Sequence, residues 1–143
     1  MVDNDSMNGI YSKNPFNFQH YNVQQVGVYI NGESLPGQPI KTNFSKNQFL
    51  EGYQSLFAST GKLNSDSGLD IHRDDYMNGY KLFGFDISPS ICNGGHIELN
   101  KRGTLKIQLE FQKALPNTIS VIVYADFDNI IKIDKYRNRI KDY

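Results

Sequence analysis

Apolar and polar residues alternate with a period of two along much of this chain. Leu105, Ile107, Leu109 and Phe111 interleave with Lys106, Gln108, Glu110 and Gln112, the pattern of a half-buried strand with one face on a core and one in water. Over residues 119–127, Ile119, Val121, Val123 and Ala125 share a face, with Ile122 and Tyr124 opposite. Over residues 80–87, Tyr80 and Leu82 face one way and Lys81, Phe83, Phe85 and Ile87 the other. Residues 16–30 also read as extended. Phe16 and Phe18 alternate first, then Val26, Val28 and Ile30 share a face opposite Tyr29, and either two strands or one bent strand fits. Shorter candidates lie at residues 96–99 and 130–133.

The punctuation between these runs suits a β protein. Asn31-Gly32 favours the positive φ values of a type I′ hairpin turn, so Glu33 to Leu35 should return antiparallel. Pro36, Gly37 and Pro39 should then break that return strand, because proline has no N–H for a ladder. Ser88-Pro89, Asn93-Gly94-Gly95, residues 100–103, Pro116-Asn117 and Asp128-Asn129 mark further turns. One segment has a helical period: Phe49, Leu50, Tyr53, Leu56 and Phe57. Ser45 and Gln48 ahead of it make a capping-box pattern, and Gly61 supplies a stop. Residues 62–78 are polar with little periodicity and read as a long surface loop with local turns. The sum is an all-β fold of about eight strands, an antiparallel β-sandwich of jelly-roll type with one inserted helix near residues 45–60.

A chain of 143 residues suits one domain with a real core. Residues 1–13 are rich in Asn, Asp and Ser and read as a flexible N-terminal arm, or one that orders on a neighbour, leaving residues 14–143 as a single jelly-roll domain. Nine Phe and nine Tyr mean that aromatics carry much of the core. Fifteen basic residues balance fifteen acidic ones, so no net field draws the chain to nucleic acid or an anionic membrane. No apolar run approaches the ~20 residues of a membrane helix, and no signal-peptide pattern opens the chain. Cys92 is the single cysteine. That excludes an intrachain disulfide and a cysteine-rich zinc site and suits a reducing compartment.

Candidate chemistry is sparse. His20, His72 and His96 have no second His or Cys at a zinc-motif spacing. His72 sits among Asp70, Asp74 and Asp75, a set that could pair with the imidazole or bind calcium, but the spacing does not follow an EF-hand and a solvated loop explains it. Cys92 and His96 could make a nucleophile and base, yet no orienting third group is evident. Gly94-Gly95 lacks the spacing and following helix of a phosphate cradle. Lys132, Lys135, Arg137, Arg139 and Lys141, with Tyr136 among them and Tyr143 just after, could touch nucleic acid. Asp134 and Asp142 dilute that charge, and a salt-bridged tail packing on a neighbouring subunit fits better. Phe16-Asn17-Phe18 and residues 80–85 could stack on sugars, though alternation favours core placement. No catalytic, cofactor-binding or metal-binding set emerges, and the expectation is a non-enzymatic protein without cofactors.

Four strings taken in order, Asn14-Pro15-Phe16-Asn17-Phe18, Gly79-Tyr80-Lys81-Leu82-Phe83-Gly84-Phe85-Asp86, Gly103-Thr104-Leu105-Lys106-Ile107 and Asp134-Lys135-Tyr136-Arg137-Asn138-Arg139, resemble the C-terminal jelly roll of double jelly-roll major capsid proteins. These are the capsid proteins of Polinton (Maverick) transposable elements and related, adintovirus-like animal viruses. The similarity runs over residues 13–143. It implies a structural capsid protein that self-associates into capsomers, a homotrimer when this jelly roll is joined to a second one, with other capsid proteins as partners. It also implies residence in a virion, and in the host nucleus or cytoplasm during assembly. This chain would be an excised half of such a protein or a standalone relative. The alternative is a ligand-binding jelly-roll module that recognises a carbohydrate or receptor through exposed tyrosines or through His72 and its acidic neighbours.

Overall fold

The alternating residues around the Asn31-Gly32 pair build the central sheet. In the computed structural model, residues 1–87, 103–126, 131–133, 135–137 and 139–141 are described. The elements are β1 (Val2–Asp3), α1 (Asn4–Met7), β2 (Val23–Ile30), β3 (Glu33–Lys41), a 3₁₀ turn (Phe44–Lys46), α2 (Leu50–Ser59), α3 (Arg73–Met77), β4 (Leu105–Phe111), β5 (Ile119–Ser120), β6 (Ile131–Ile133) and β7 (Arg139–Lys141). The described chain is mostly β, with antiparallel sheets and few helices.

The largest sheet has the order β3-β2-β4. Asn31 (φ 52°) and Gly32 (φ 90°) turn the chain as their sequence demands, and Ile30 pairs directly with Glu33. Val26 faces Ile40 and Leu109, Val28 faces Leu35 and Ile107, and Ile30 faces Glu33 and Leu105. One side of the sheet is therefore apolar, while Gln25, Lys106, Gln108 and Glu110 line the other. Val23 and Val26 are both in the core, although a spacing of three puts them on opposite faces of a regular strand. A bulge resolves this, because the register shifts between Val23, paired with Phe111, and Gln25, paired with Glu110.

The prolines of β3 do not end the strand, contrary to expectation. Val28 pairs with Leu35 and Val26 with Ile40, so residues 36–39 bulge out opposite Gly27 and the ladder resumes beyond them. A bulge is where a residue without an N–H can sit in a sheet. Gly27 leaves room for this detour, since a Cβ there would lie 3.0 Å from Tyr29 Cε2 and 3.2 Å from Pro39.

The apolar sheet face packs on a buried cluster of Val23, Val26, Phe44, Phe49 and Tyr76, with Tyr53, Ile71, Met77, Phe83, Phe85, Leu109 and Phe111 around it. The expected helix is present as α2, but its start differs. The Ser45–Gln48 capping box does not form. Asn43 instead caps the 3₁₀ turn through its side chain, accepting from the Lys46 N–H at 3.2 Å, and exchanges backbone hydrogen bonds with Gln48. Asn47 (φ 55°) ends that turn, and α2 begins at Leu50 without a side-chain cap. The stop is as expected. Gly61 (φ 66°) donates to the Ala58 carbonyl and Lys62 to that of Phe57, the two bonds of a Schellman motif.

Two further expectations are corrected. The first residues are not a free arm: Val2 is buried, β1 pairs with β5, and Lys13 bridges Asp3 and Asp5. One well-placed apolar side chain, Val2, supplies burial that the polar composition around it hid. The loop at residues 62–78 contains α3, whose Tyr76 is wholly buried. Among the described residues, 80–87 take part in a parallel bridge from Tyr80 to Phe18, and Ile119–Ser120 of the 119–127 run pair as β5. In the C-terminal segment β7 pairs antiparallel with β6.

Candidate functional site

A run of aromatic rings crosses the core. His20 stacks on Phe44 with centroids 4.3 Å apart and planes 9° apart. Phe44 stacks on Phe49, and Phe49 on Tyr76, each at 5.9 Å. Tyr53 meets both Tyr76 and Phe57 edge-on. Arg73 places its guanidinium 5.3 Å above the Phe49 ring. These contacts join the turn before β2 to α2 and α3. Offset and edge-on packing of this kind adds to the area each ring buries.

Two bases border this column. His20 is half-buried and its Nδ1 accepts the Asn22 backbone N–H at 2.8 Å. Burial, and secondly the charge of Lys81, hold its pKa below the ordinary histidine value. Lys81 is 2% exposed, and its Nζ is buried without a hydrogen-bond partner. Burial pushes its pKa down as well. Alternation explains the placement, since Lys81 lies on the same face of its segment as Phe83 and Phe85, both packed on the core. Sequence reading put Lys81 on that face without identifying it as buried. An unpaired ammonium among apolar residues has no composition signal.

Within the acidic group around His72, Asp75 caps a helix. Asp75 accepts the His72 backbone N–H at 3.0 Å, and the His72 side chain closes a reciprocal capping box at the start of α3. Among the described residues no three His, Cys, Asp or Glu side chains gather as a metal-binding group. Cys92, Gly94-Gly95 and His96 lie outside the described residues. So do the 96–99 strand and the Ser88-Pro89, residue 100–102 and Asp128-Asn129 turns. Within the basic C-terminal set, Lys135 stands 5.0 Å over the Tyr136 ring. Among the described residues no helix is long and apolar enough to cross a membrane.

Two surface features remain. The Phe18–Tyr80 bridge brings together the two aromatic segments picked out for stacking, and both Phe16 and Tyr80 are exposed. The second feature is apolar. Leu105 and Ile107, on the apolar face of β4, are 42% and 38% exposed, and Val121, Ile122 and Val123 are 46%, 51% and 55% exposed. Tertiary pairing exposes these residues, so periodicity could name them but could not say that they lie uncovered.

No family model matches the chain, and no solved structure matches it. The chain is 32% identical over 146 residues to an uncharacterized protein of Caenorhabditis elegans, a match that covers 99% of this chain and 35% of that relative. The chain thus spans about a third of the length of the curated relative it matches.

Proposed function

We propose that this chain is a structural unit of a capsid-type protein, a jelly-roll sandwich that acts by self-association and carries no catalytic site. The observation that carries the reading is the exposure of the apolar residues Leu105 and Ile107 on β4 and of residues 121–123. Exposed apolar residues of this kind suit a surface that another domain or subunit covers. The mostly antiparallel β architecture is compatible with a β-sandwich, and the balanced charge suits protein contacts better than nucleic acid. The match to a relative about three times longer accords with this unit being joined to more chain, such as a second jelly roll. In that joined form the expected assembly is a homotrimer with other capsid proteins as neighbours, in a virion.

Multi-angle light scattering over a hundredfold range of concentration, on this chain and on the longer relative, tests the proposal. Concentration-dependent oligomers of either support it. A strict monomer in both overturns it. The second reading, a carbohydrate-binding module, rests on the exposed Phe16 and Tyr80 that the Phe18–Tyr80 bridge places together. A glycan array separates the two, since selective sugar binding lost in Tyr80→Ala favours the module.

A further inference from the structure

The chain enters β2 through a turn of unusual backbone. The Val23 N–H donates to the His20 carbonyl at 2.8 Å, and both residues between them, Tyr21 (φ 44°) and Asn22 (φ 52°), lie in the left-handed region. Asparagine tolerates that region, but a bulky residue such as tyrosine is an outlier there, so neighbouring contacts must hold it. The His20 side chain supplies them. Its Nδ1 accepts the Asn22 N–H at 2.8 Å, and its ring lies flat on Phe44 at 4.3 Å, which fixes the plane that aims Nδ1 at the amide. An accepting Nδ1 means that the single proton of the imidazole is on Nε2. A second proton can go only to Nδ1, where it turns the acceptor into a donor facing another donor.

Among the described residues, the charge that acts on the ring is of like sign to an imidazolium. From the segment after α3 the charged group facing it is Lys81, buried and of like sign. The 3₁₀ turn offers the Phe44 ring, and its Lys46 is exposed. On the N-terminal side Asp3 and Lys13 act on Tyr21, but they are paired with each other. We propose that His20 is a proton-operated latch: its neutral ring holds the turn at residues 20–23 closed, and protonation in mild acid opens that turn and loosens the chain before β2 from the core.

The segment set free is tied down next to the latch, by Gln19 donating to the Met1 carbonyl at 2.9 Å and Phe18 to that of Gly79 at 2.7 Å. Burial and Lys81 lower the histidine pKa. The latch is therefore shut above the ordinary histidine value of about 6.5 and is progressively lost as pH falls below it. It stands apart from the assembly reading and is read on the isolated chain.

Amide exchange of the 143-residue chain, corrected for intrinsic rates, tests it. Between pH 7.5 and 5.5 the protection of the Asn22 and Val23 amides should fall, while central amides of β2 keep theirs. In His20→Phe, which keeps the stack and cannot titrate, protection at Val23 should be independent of pH, whereas His72→Gln should retain the wild-type response. Equal pH dependence in His20→Phe and wild type overturns the latch. Should His20→Phe not fold, the NMR titration of the His20 ring in wild type decides: a midpoint below about 6.5 supports the latch and one at or above it overturns it.

Discussion

Tyr76 donates its phenolic hydrogen to the carbonyl oxygen of Leu82 at 3.1 Å from a fully buried position. This bond ties α3 to the segment after it. It also explains how a tyrosine can occupy the centre of an apolar cluster, since a buried hydroxyl needs a partner. Tyr76→Phe keeps the ring stack but orphans the carbonyl and should lower stability by about 1–2 kcal/mol. Tyr76→Ala removes the ring from between Phe49 and Tyr53 and should cost about 3–5 kcal/mol. Urea unfolding followed by circular dichroism measures both. Equal losses would mean that the hydroxyl, not the ring, is what matters.

Lys81 makes the opposite kind of contribution. Its amine is buried and unpaired, so folding works against its charged form. A base whose folded pKa lies below its unfolded one costs stability below the unfolded value, about 10.5. Stability should accordingly rise with pH between neutrality and that value. Lys81→Met fills the same space without charge and should be more stable by about 1–3 kcal/mol at pH 7, with a flatter profile toward alkaline pH. Denaturant midpoints at pH 7 and pH 9.5 are the measurement, and a less stable Lys81→Met would show that the ammonium is held by something favourable.

Gly84 is where the segment of residues 80–87 passes closest to α2. A Cβ there would lie 1.8 Å from Ser59 Oγ and 3.0 Å from the Ser55 carbonyl oxygen. Gly84→Ala should destabilise by about 1–3 kcal/mol, the usual cost of overpacking. Ser59→Ala in the same chain should recover part of this, because the Oγ is gone while the Ser59 Cβ, 2.8 Å away, remains. A double-mutant cycle reads the recovery as coupling, and strictly additive losses would place the strain elsewhere.

The exposed apolar residues permit a test that separates folding from association. Val121→Lys and Val123→Lys fall on solvated positions, so the unfolding midpoint should change by no more than about 0.5 kcal/mol. Self-association should weaken at least tenfold, about 1.4 kcal/mol, as read by sedimentation velocity over a concentration series. Unchanged association in both variants would remove residues 121–123 from the contact surface.

Much of the central sheet was legible because its signals are local. The Asn31-Gly32 turn, the face shared by Val26, Val28 and Ile30, the alternation of residues 105–111 and the Gly61 stop all act over a few residues. A period of two or 3.6 already says which side chains share a face. The rest depends on residues far apart in sequence. Periodicity marks 119–126 and 80–87 as extended but does not say whether a partner strand lies beside them, and the described chain pairs only their first residues. Tyr76 looked like part of a polar loop because its burial comes from Phe49, Tyr53 and Leu82.

The same division holds for the candidate sites. The residues around His72 read as a solvated loop, whereas His72 and Asp75 cap the start of α3. Residue order alone fixes which residues alternate and places the Asn31-Gly32 turn and the Gly61 stop. Packing in three dimensions is what buries Lys81 beside His20, sets His20 to accept a backbone N–H above the Phe44 ring, and leaves residues 105, 107 and 121–123 exposed. Those outcomes depend on which distant segments exclude water from one another, and desolvation is a property of the packed whole, with no signature in the spacing of residues along the chain.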